Sequence, residues 1–263
     1  MTGFRHGGQM DSGSQRDKTP VEGPEVLPLG STALLLRFGL TVTPRATAAV
    51  QALHDMLDKA DLPGVTEILP SLASVMLRFD PAKVTRADLA ARLATLTGTR
   101  DWHAAEPRPA MRLWQVPVAF GGVHGPMLEE ASALAGLSPE AAVRQVAETE
   151  LRVLAIGFAP GQPYLGLLPE GWNLPRLSDL APQVPQGAVT VAVRQIVLFA
   201  NASPTGWRQI GRAAFRPFRP EARDPAPLRA GDALRLIPCS GDELEALLHT
   251  GDPDGGARCQ VRA

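Results

Sequence analysis

Beyond Glu150 the chain is written in short apolar runs, at 151–158, 188–193, 196–200, 207–210 and 234–238, each bounded by glycine and proline. About four to eight such residues make a strand, whereas a helix that buries a face needs about ten or more. Runs of this length between backbone breakers predict strands, and their number and spacing predict a closed or sandwiched β structure. The turns that such a fold demands come from 25 glycines and 25 prolines in 263 residues.

The earlier part of the chain mixes periods. Residues 31–38 form an apolar run that predicts a strand. Thr43 then stands as an N-cap before Pro44, and Ala46, Ala49, Val50, Leu53, Met56, Leu57 and Ala60 recur at helical spacing, which predicts a helix over 44–60. Two apolar runs at 65–69 and 74–79, parted by a turn, predict a hairpin. Thr85 and Asp88 cap a second helix carrying Leu89, Leu93 and Leu96, and Gly98 stops it. With 112–120 as a closing strand, the order is that of a ferredoxin-like split βαβ sheet.

The proline-bearing segment 101–110 predicts a linker, so the chain divides into a tail at 1–25, an α/β domain at 26–100, a β-barrel domain at 111–240, and a short helix with a tail at 241–263. The fold class is α+β. Short helices are expected at 127–134 and 138–147, and Ser240 with Glu243 makes a capping box for another that ends near His249. Beyond His249 the Gly/Asp-rich sequence reads as unstructured.

Several function classes are set aside by composition. With 26 basic and 27 acidic residues the net charge is −1, without the positive footprint of a nucleic-acid binder. Two cysteines, Cys239 and Cys259, make neither a disulfide framework nor a paired zinc motif, and the five histidines (His6, His54, His103, His124, His249) have no ligand spacing. A run of about 18 apolar residues is absent, and 1–24 has no secretory pattern, so a cytoplasmic protein without a membrane span is expected. Phosphate-loop, dinucleotide, zinc-protease and nucleophile-elbow motifs are missing as well.

Chemistry is therefore sought in loops. Residues 157–166 follow an apolar strand and place Gly157, Gly161 and Gly166 around Pro160 and Pro163. Glycines let backbone N–H groups approach a ligand while prolines stiffen the path, and a tight structural crossover uses the same residues. Tyr164, the single tyrosine, either orients a ligand carbonyl or packs with a backbone partner for its phenol. Arg176 lies in an irregular segment, where a guanidinium fork suits a carboxylate or phosphate, or only faces water. Gly187 and Gly206 sit at turns that either shape a pocket or simply reverse the chain. Gln195 has the groups to hold an amide. Glu150 precedes the strand as a candidate acid or base.

In order, the motifs Gly157-Phe-x-Pro-Gly-x-Pro-Tyr-Leu-Gly166, Leu174-Pro175-Arg176, Val184-Pro185-x-Gly187, Ser203-Pro204-x-Gly206-Trp207-x-x-Ile210-Gly211-Arg212 and Leu228-x-x-Gly231-Asp232 resemble one family. It includes the B subunit of 5-oxoprolinase, allophanate hydrolase subunit 1 and the KipI-type kinase inhibitors. Val116-Pro117-Val118-x-Phe120-Gly121-Gly122 and Gly125-Pro126-x-Leu128-Glu129 extend the resemblance over about 26–240. It implies a cyclophilin-like β-barrel after an α/β domain, in a protein that works with a homologous-fold partner (C-type, or allophanate hydrolase subunit 2-like) and with an A-type subunit. Together they would open the lactam of 5-oxoproline to glutamate with ATP. A KipI-like inhibitor of a sensor histidine kinase and a subunit related to allophanate hydrolase or urea carboxylase are the alternatives.

Under the first reading Gly157, Gly161 and Gly166 form a backbone cradle, Tyr164 and Gln195 contact the amide, and Arg176 pairs with a carboxylate or phosphoryl oxygen. Gly187 and Gly206 join the substrate pocket, and Glu150 acts with Arg176 in catalysis. The chain departs from the family pattern at Val146 (usually His), at Gln162 (usually Phe), near Leu180-Ala181 (a second Pro-Arg), at Gln186 and Ala188 (usually Ala and Ser), and over 192–197 (usually Gly-Gly-x-Gln-Thr-Gly). These changes remove backbone access and a hydroxyl donor from the expected pocket.

Overall fold

The computed structural model describes residues 23–98, 100–102 and 104–262. Most of the tail expected at 1–25 lies outside the described residues. Its last residues are placed, with Pro24 buried and Glu25 opening a strand.

The α/β unit comprises β1 (Glu25–Leu29), β2 (Ala33–Arg37), α1 (Pro44–Lys59), β3 (Val65–Pro70), β4 (Ser74–Phe79) and α2 (Arg86–Thr97). Its antiparallel sheet runs β1-β2-β4-β3. Thr43 accepts from Ala46 N–H at 3.1 Å, and Thr85 accepts from Asp88 N–H at 3.2 Å, so both predicted caps form. Leu34, Leu36, Leu53, Leu77, Leu89 and Leu93 meet in its core. One expectation is corrected: the edge strand is β1, not 112–120. A short hairpin turning at Gly30 brings β1 to β2 locally, whereas the nine-residue apolar run 112–120 is long enough to be shared among barrel strands. The expected linker also contributes to this core. Trp102 is 1% exposed, donates from Nε1 to Thr97 O at 2.8 Å, and meets the Phe38 ring at 5.7 Å.

The barrel begins with β5 (Arg112–Phe120), followed by α3 (Leu128–Leu134) and α4 (Pro139–Glu148). Then come β6 (Leu151–Gly157), β7 (Gln162–Gly166), β8 (Ala181–Val184), β9 (Ala188–Ala192), β10 (Gln195–Leu198), β11 (Ser203–Thr205), β12 (Arg208–Arg212) and β13 (Ala233–Cys239). α5 (Gly241–Thr250) and β14 (Arg258–Val261) complete it. The strand order β12-β9-β10-β7-β6-β13-β5 closes because β12 also pairs with β5. This is a closed seven-stranded barrel beside a small α/β unit, the α+β architecture expected. Closure leaves no open edge along the ring and turns one face of every strand inward. Val116, Val118, Val153, Leu165, Val191 and Leu236 fill it.

Three further departures from the sequence expectation concern strands. The 157–166 segment is a loop only at its tip, since β7 pairs with β6 from Gly166 opposite Arg152 to Gln162 opposite Gly157. β8 and β11 form a separate two-stranded ribbon where only turns were expected. Residues 258–261, expected to be unstructured, pair as β14 with the first half of β5.

Candidate functional site

The barrel carries a recess of about 480 Å³ at the tip of the β6–β7 hairpin, facing the β8–β11 ribbon. Three of the sequence-predicted residues meet there: Tyr164, Arg176 and Gly206. Arg176 is positioned from both sides. Arg208, ion-paired with Glu130 at 2.8 Å, donates from Nη1 to Pro175 O at 2.6 Å, and Leu177 N–H donates to Gly206 O at 2.7 Å. The irregular segment is thereby fixed by the carbonyl before Arg176 and the amide after it.

The Arg176 guanidinium lies 5.4 Å above the Trp207 ring, and Trp207 meets Tyr164 edge-on at 6.5 Å between centroids. Stacking holds the flat cation without using its N–H donors, so the fork is left for an incoming acceptor. Among the described residues the Arg176 side chain has no ion-pair or hydrogen-bond partner. Asn201, Ser203 and Thr205 add polar groups to the wall. No carboxylate lines the recess among the described residues. Its chemistry is recognition: one cation, an aromatic wall and neutral hydrogen-bonding groups.

The Tyr164 phenol donates to Phe158 O at 2.8 Å, closing the hairpin tip on itself. The ring thus supports Trp207, and the hydroxyl is engaged by backbone. Gln162, where the family pattern has Phe, is buried and its Oε1 accepts from Ala200 N–H at 3.4 Å, tying β7 to the turn that follows β10. Val146, where that pattern has His, is a core residue of α4 at 1% exposure.

The other predicted residues are placed elsewhere. Gly157 faces Tyr164, whose ring would stand 3.1 Å from a Cβ at that position. Gly161 lies against Phe218, whose ring a Cβ would meet at 2.6 Å, so its bareness serves packing at the tip. Gly187 has φ of +81° and its bare Cα abuts Ala213 O, which makes it a backbone crossing point behind the recess-lining Phe199, to whose carbonyl its N–H donates at 2.9 Å. Gln195 is buried at the start of β10, with its Cγ 3.6 Å from where a Gly166 Cβ would stand. Gly166 itself lines a cleft at the opposite end of the hairpin, together with Glu150.

Glu150 is held there as a charge clamp. Both its oxygens accept from Arg262 at 2.7 Å, and Arg235 lies 3.3 Å away. The Arg262 hydrogen bonds, aided by the field of Arg262, Arg235 and Arg152, hold its carboxyl below the usual range against the opposing effect of burial. A general acid needs the reverse shift. Trp207 reads in the sequence as a core anchor or a stacking platform, and the structure makes it the platform under Arg176; Arg208 is the residue that sequence reasoning misses, and the arginine directly after the Ser203-Pro204-x-Gly206-Trp207 turn is the signal that points to it.

Fold and recess define a class of protein: an α/β unit followed by a closed barrel that presents an arginine over a tryptophan at its rim. Residues 24–228 match the family model of the carboxyltransferase domain, subdomain C and D, and the chain belongs to this family. It is 30% identical over 232 residues to the 5-oxoprolinase B subunit of Bacillus subtilis (strain 168), covering 83% of this chain and 94% of that protein. Against the 5-oxoprolinase B subunit of Escherichia coli O157:H7 it is 32% identical over 211 residues, covering 80% and 94%. Among solved structures, TTHA0988 matches with a TM-score of 0.65 and 31% identity over 80% of this chain and 40% of its own, so this chain spans less than half of that protein. The Kluyveromyces lactis urea carboxylase has the same fold, with a TM-score of 0.73 at 15% identity over 91% of this chain and 24% of that one.

Among the described residues no helix is long and apolar enough to cross a membrane.

Proposed function

We propose that the chain is the B-type subunit of an ATP-dependent 5-oxoprolinase-type complex, acting with a homologous-fold C-type partner and an A-type subunit. The observation that carries this reading is the meeting of Arg176, Tyr164 and Gly206 in one recess, with a guanidinium that no described side chain neutralises. 5-Oxoproline is a small lactam with a carboxylate. The Arg176 fork suits the carboxylate, the Trp207–Tyr164 wall suits the flat ring, and Ser203 or Asn201 suits the lactam carbonyl. Because the recess lacks an acid or base of its own, ring opening needs groups from the partner chains, and ATP enters as the complex's co-substrate. Relatedness to proteins named for the B subunit of 5-oxoprolinase supports the same assembly.

The test is reconstitution with the cognate A-type and C-type partners, measuring glutamate formed from 5-oxoproline with ATP and magnesium. Arg176→Ala is expected to raise KM at least tenfold, about 1.4 kcal/mol, with the complex intact. Lack of turnover by the wild-type complex, or an unchanged KM, contradicts the reading. A KipI-type regulatory role is favoured by one feature, the exposed Phe158 and Leu180 on the rim of the recess, at 87% and 70% exposure. In that case this protein suppresses autophosphorylation of a cognate sensor kinase, and Phe158→Ser abolishes the effect.

A further inference from the structure

α1 presents Gln51 and His54 to the first residues of β6 and to 229–232, and a cleft of about 400 Å³ lies between them. Four arginines (Arg108, Arg112, Arg152, Arg229) and two aspartates (Asp55, Asp232) line it. The excess of positive charge stands out in a chain whose net charge is −1.

Three of the four cations are engaged. Arg112 grips Asp232 through two hydrogen bonds of 2.9 and 2.5 Å, Arg108 pairs with Asp55, and Arg229 pairs with Asp224 at 3.3 Å. Arg152 is different. Its half-buried side chain makes no hydrogen bond or ion pair with any described residue. The strand explains its direction: Leu151 and Val153 point into the barrel core, so Arg152 between them points out, toward α1.

Glu150 and Asp232 lie within electrostatic reach, but Arg262 and Arg235 occupy the first, and Arg112 with the Arg229 N–H (2.9 Å) occupies the second. Burial pulls the Arg152 guanidinium below the ordinary arginine value. Since arginine does not release its proton, the cost of desolvating that charge persists until a counter-ion meets it.

Gly231 supplies the space. Its φ is +93°, and a Cβ there would stand 3.8 Å from Arg152 Nη2 and 3.9 Å from Gln51 Nε2. Two donors, one from the α/β unit and one from the barrel, converge on the position a side chain would fill.

We infer that this cleft is a second binding site, taking a small monocarboxylate through Arg152 and Gln51. Asp232 and Asp55 in its wall, with Glu150 in the adjoining cleft that shares Gln51 and Arg152, favour a single negative charge over a phosphate dianion, and the volume admits a small organic acid. The site is separate from the recess: Arg152 and Gly157 stand at opposite ends of β6, about 17 Å apart at strand rise. It is also independent of the activity proposed above, which is tested by turnover.

The test is NMR of the full chain, following the Arg152 Nε–H and Gln51 side-chain amide signals during titration with acetate, 5-oxoproline and inorganic phosphate. Both carboxylates are expected to shift the two signals saturably, and phosphate to bind more weakly. Arg152→Gln weakens carboxylate binding about tenfold or more, Gln51→Leu weakens it severalfold, and Arg176→Ala leaves it unchanged. Because the Arg152 side chain has no partner to lose, Arg152→Gln is expected to keep or raise the Tm. Unmoved signals, tighter phosphate binding, parental affinity in Arg152→Gln, or a lowered Tm in that variant overturns the inference.

Discussion

Val193 and Arg194 turn the chain between β9 and β10 with φ of 45° and 64°. A two-residue hairpin loop with both residues left-handed is usually built from Asn-Gly or Gly-Gly, and a β-branched residue there is strained. Neighbours over-determine the turn: Val193 N–H donates to Leu174 O at 2.8 Å, Arg194 N–H to Trp172 O at 2.9 Å, and Arg194 Nε to Leu168 O at 2.8 Å. The family pattern has glycine at 193, so its loss is legible in the sequence as lost backbone access. Its structural meaning is strain, which no local pattern announces because the anchoring carbonyls come from 168–174. Val193 is 40% exposed, so little burial is forfeited by replacing it. Val193→Asn is expected to stabilise the protein by about 0.5–1 kcal/mol, read as a higher urea midpoint at unchanged m-value.

Among the elements, β14 shows most plainly why some structure escapes a reading of the sequence. Its residues Arg258, Cys259, Gln260 and Val261 are all exposed and carry no alternation, because the strand is held by backbone pairing with β5 and by the Arg262–Glu150 clamp just beyond it. β7 is hidden by Pro163 within it and by the glycines around its tip, and β1 by its length of five residues with Pro28 among them. The capped helices, by contrast, carry their signals locally: Thr43-Pro44, Ser138-Pro139 and the Ser240–Glu243 box each form as the sequence implies. Of the proposed site residues, only those flanking tryptophan-bearing or proline-bearing turns converge, since the others mark places where backbones cross or strands pack. The clamp also gives β14 a pH dependence. Glu150 has its folded pKa lowered by Arg262, so its contribution is full above the unfolded glutamate value of about 4.3 and is lost as the pH falls through the lower folded value. Hydrogen-exchange protection of 259–261 is expected to hold from neutral pH to about 5 and to drop on further acidification. Glu150→Gln is expected to show reduced protection already at neutral pH and little acid dependence.

At the scale of the whole molecule, two apolar cores stand side by side with no buried apolar residue in common, one around Leu53 and Leu77 and the other around Val153 and Ile196. Each core is closed within its own unit, and the cleft between them opens a mixed wall of charged groups and of Val50, Met111 and Leu154 rather than a shared core, so the contact couples the two units weakly. Exchange protection of 34–36 and 75–79 is therefore expected to vanish at a different urea concentration from that of 189–198, and a single coincident transition contradicts this. The way the barrel closes has an outcome for synthesis. β5 is the first barrel strand made, yet its neighbours are β12, β13 and β14, the nearest of them about ninety residues later in the chain. While the ribosome finishes the rest, a nine-residue apolar ribbon waits with both flanks bare, beside an α/β unit that already has every partner its sheet requires. Other nascent chains can pair with that ribbon, and within it only Pro117 interrupts the row of backbone donors, so it stays open to mispairing until the late strands arrive.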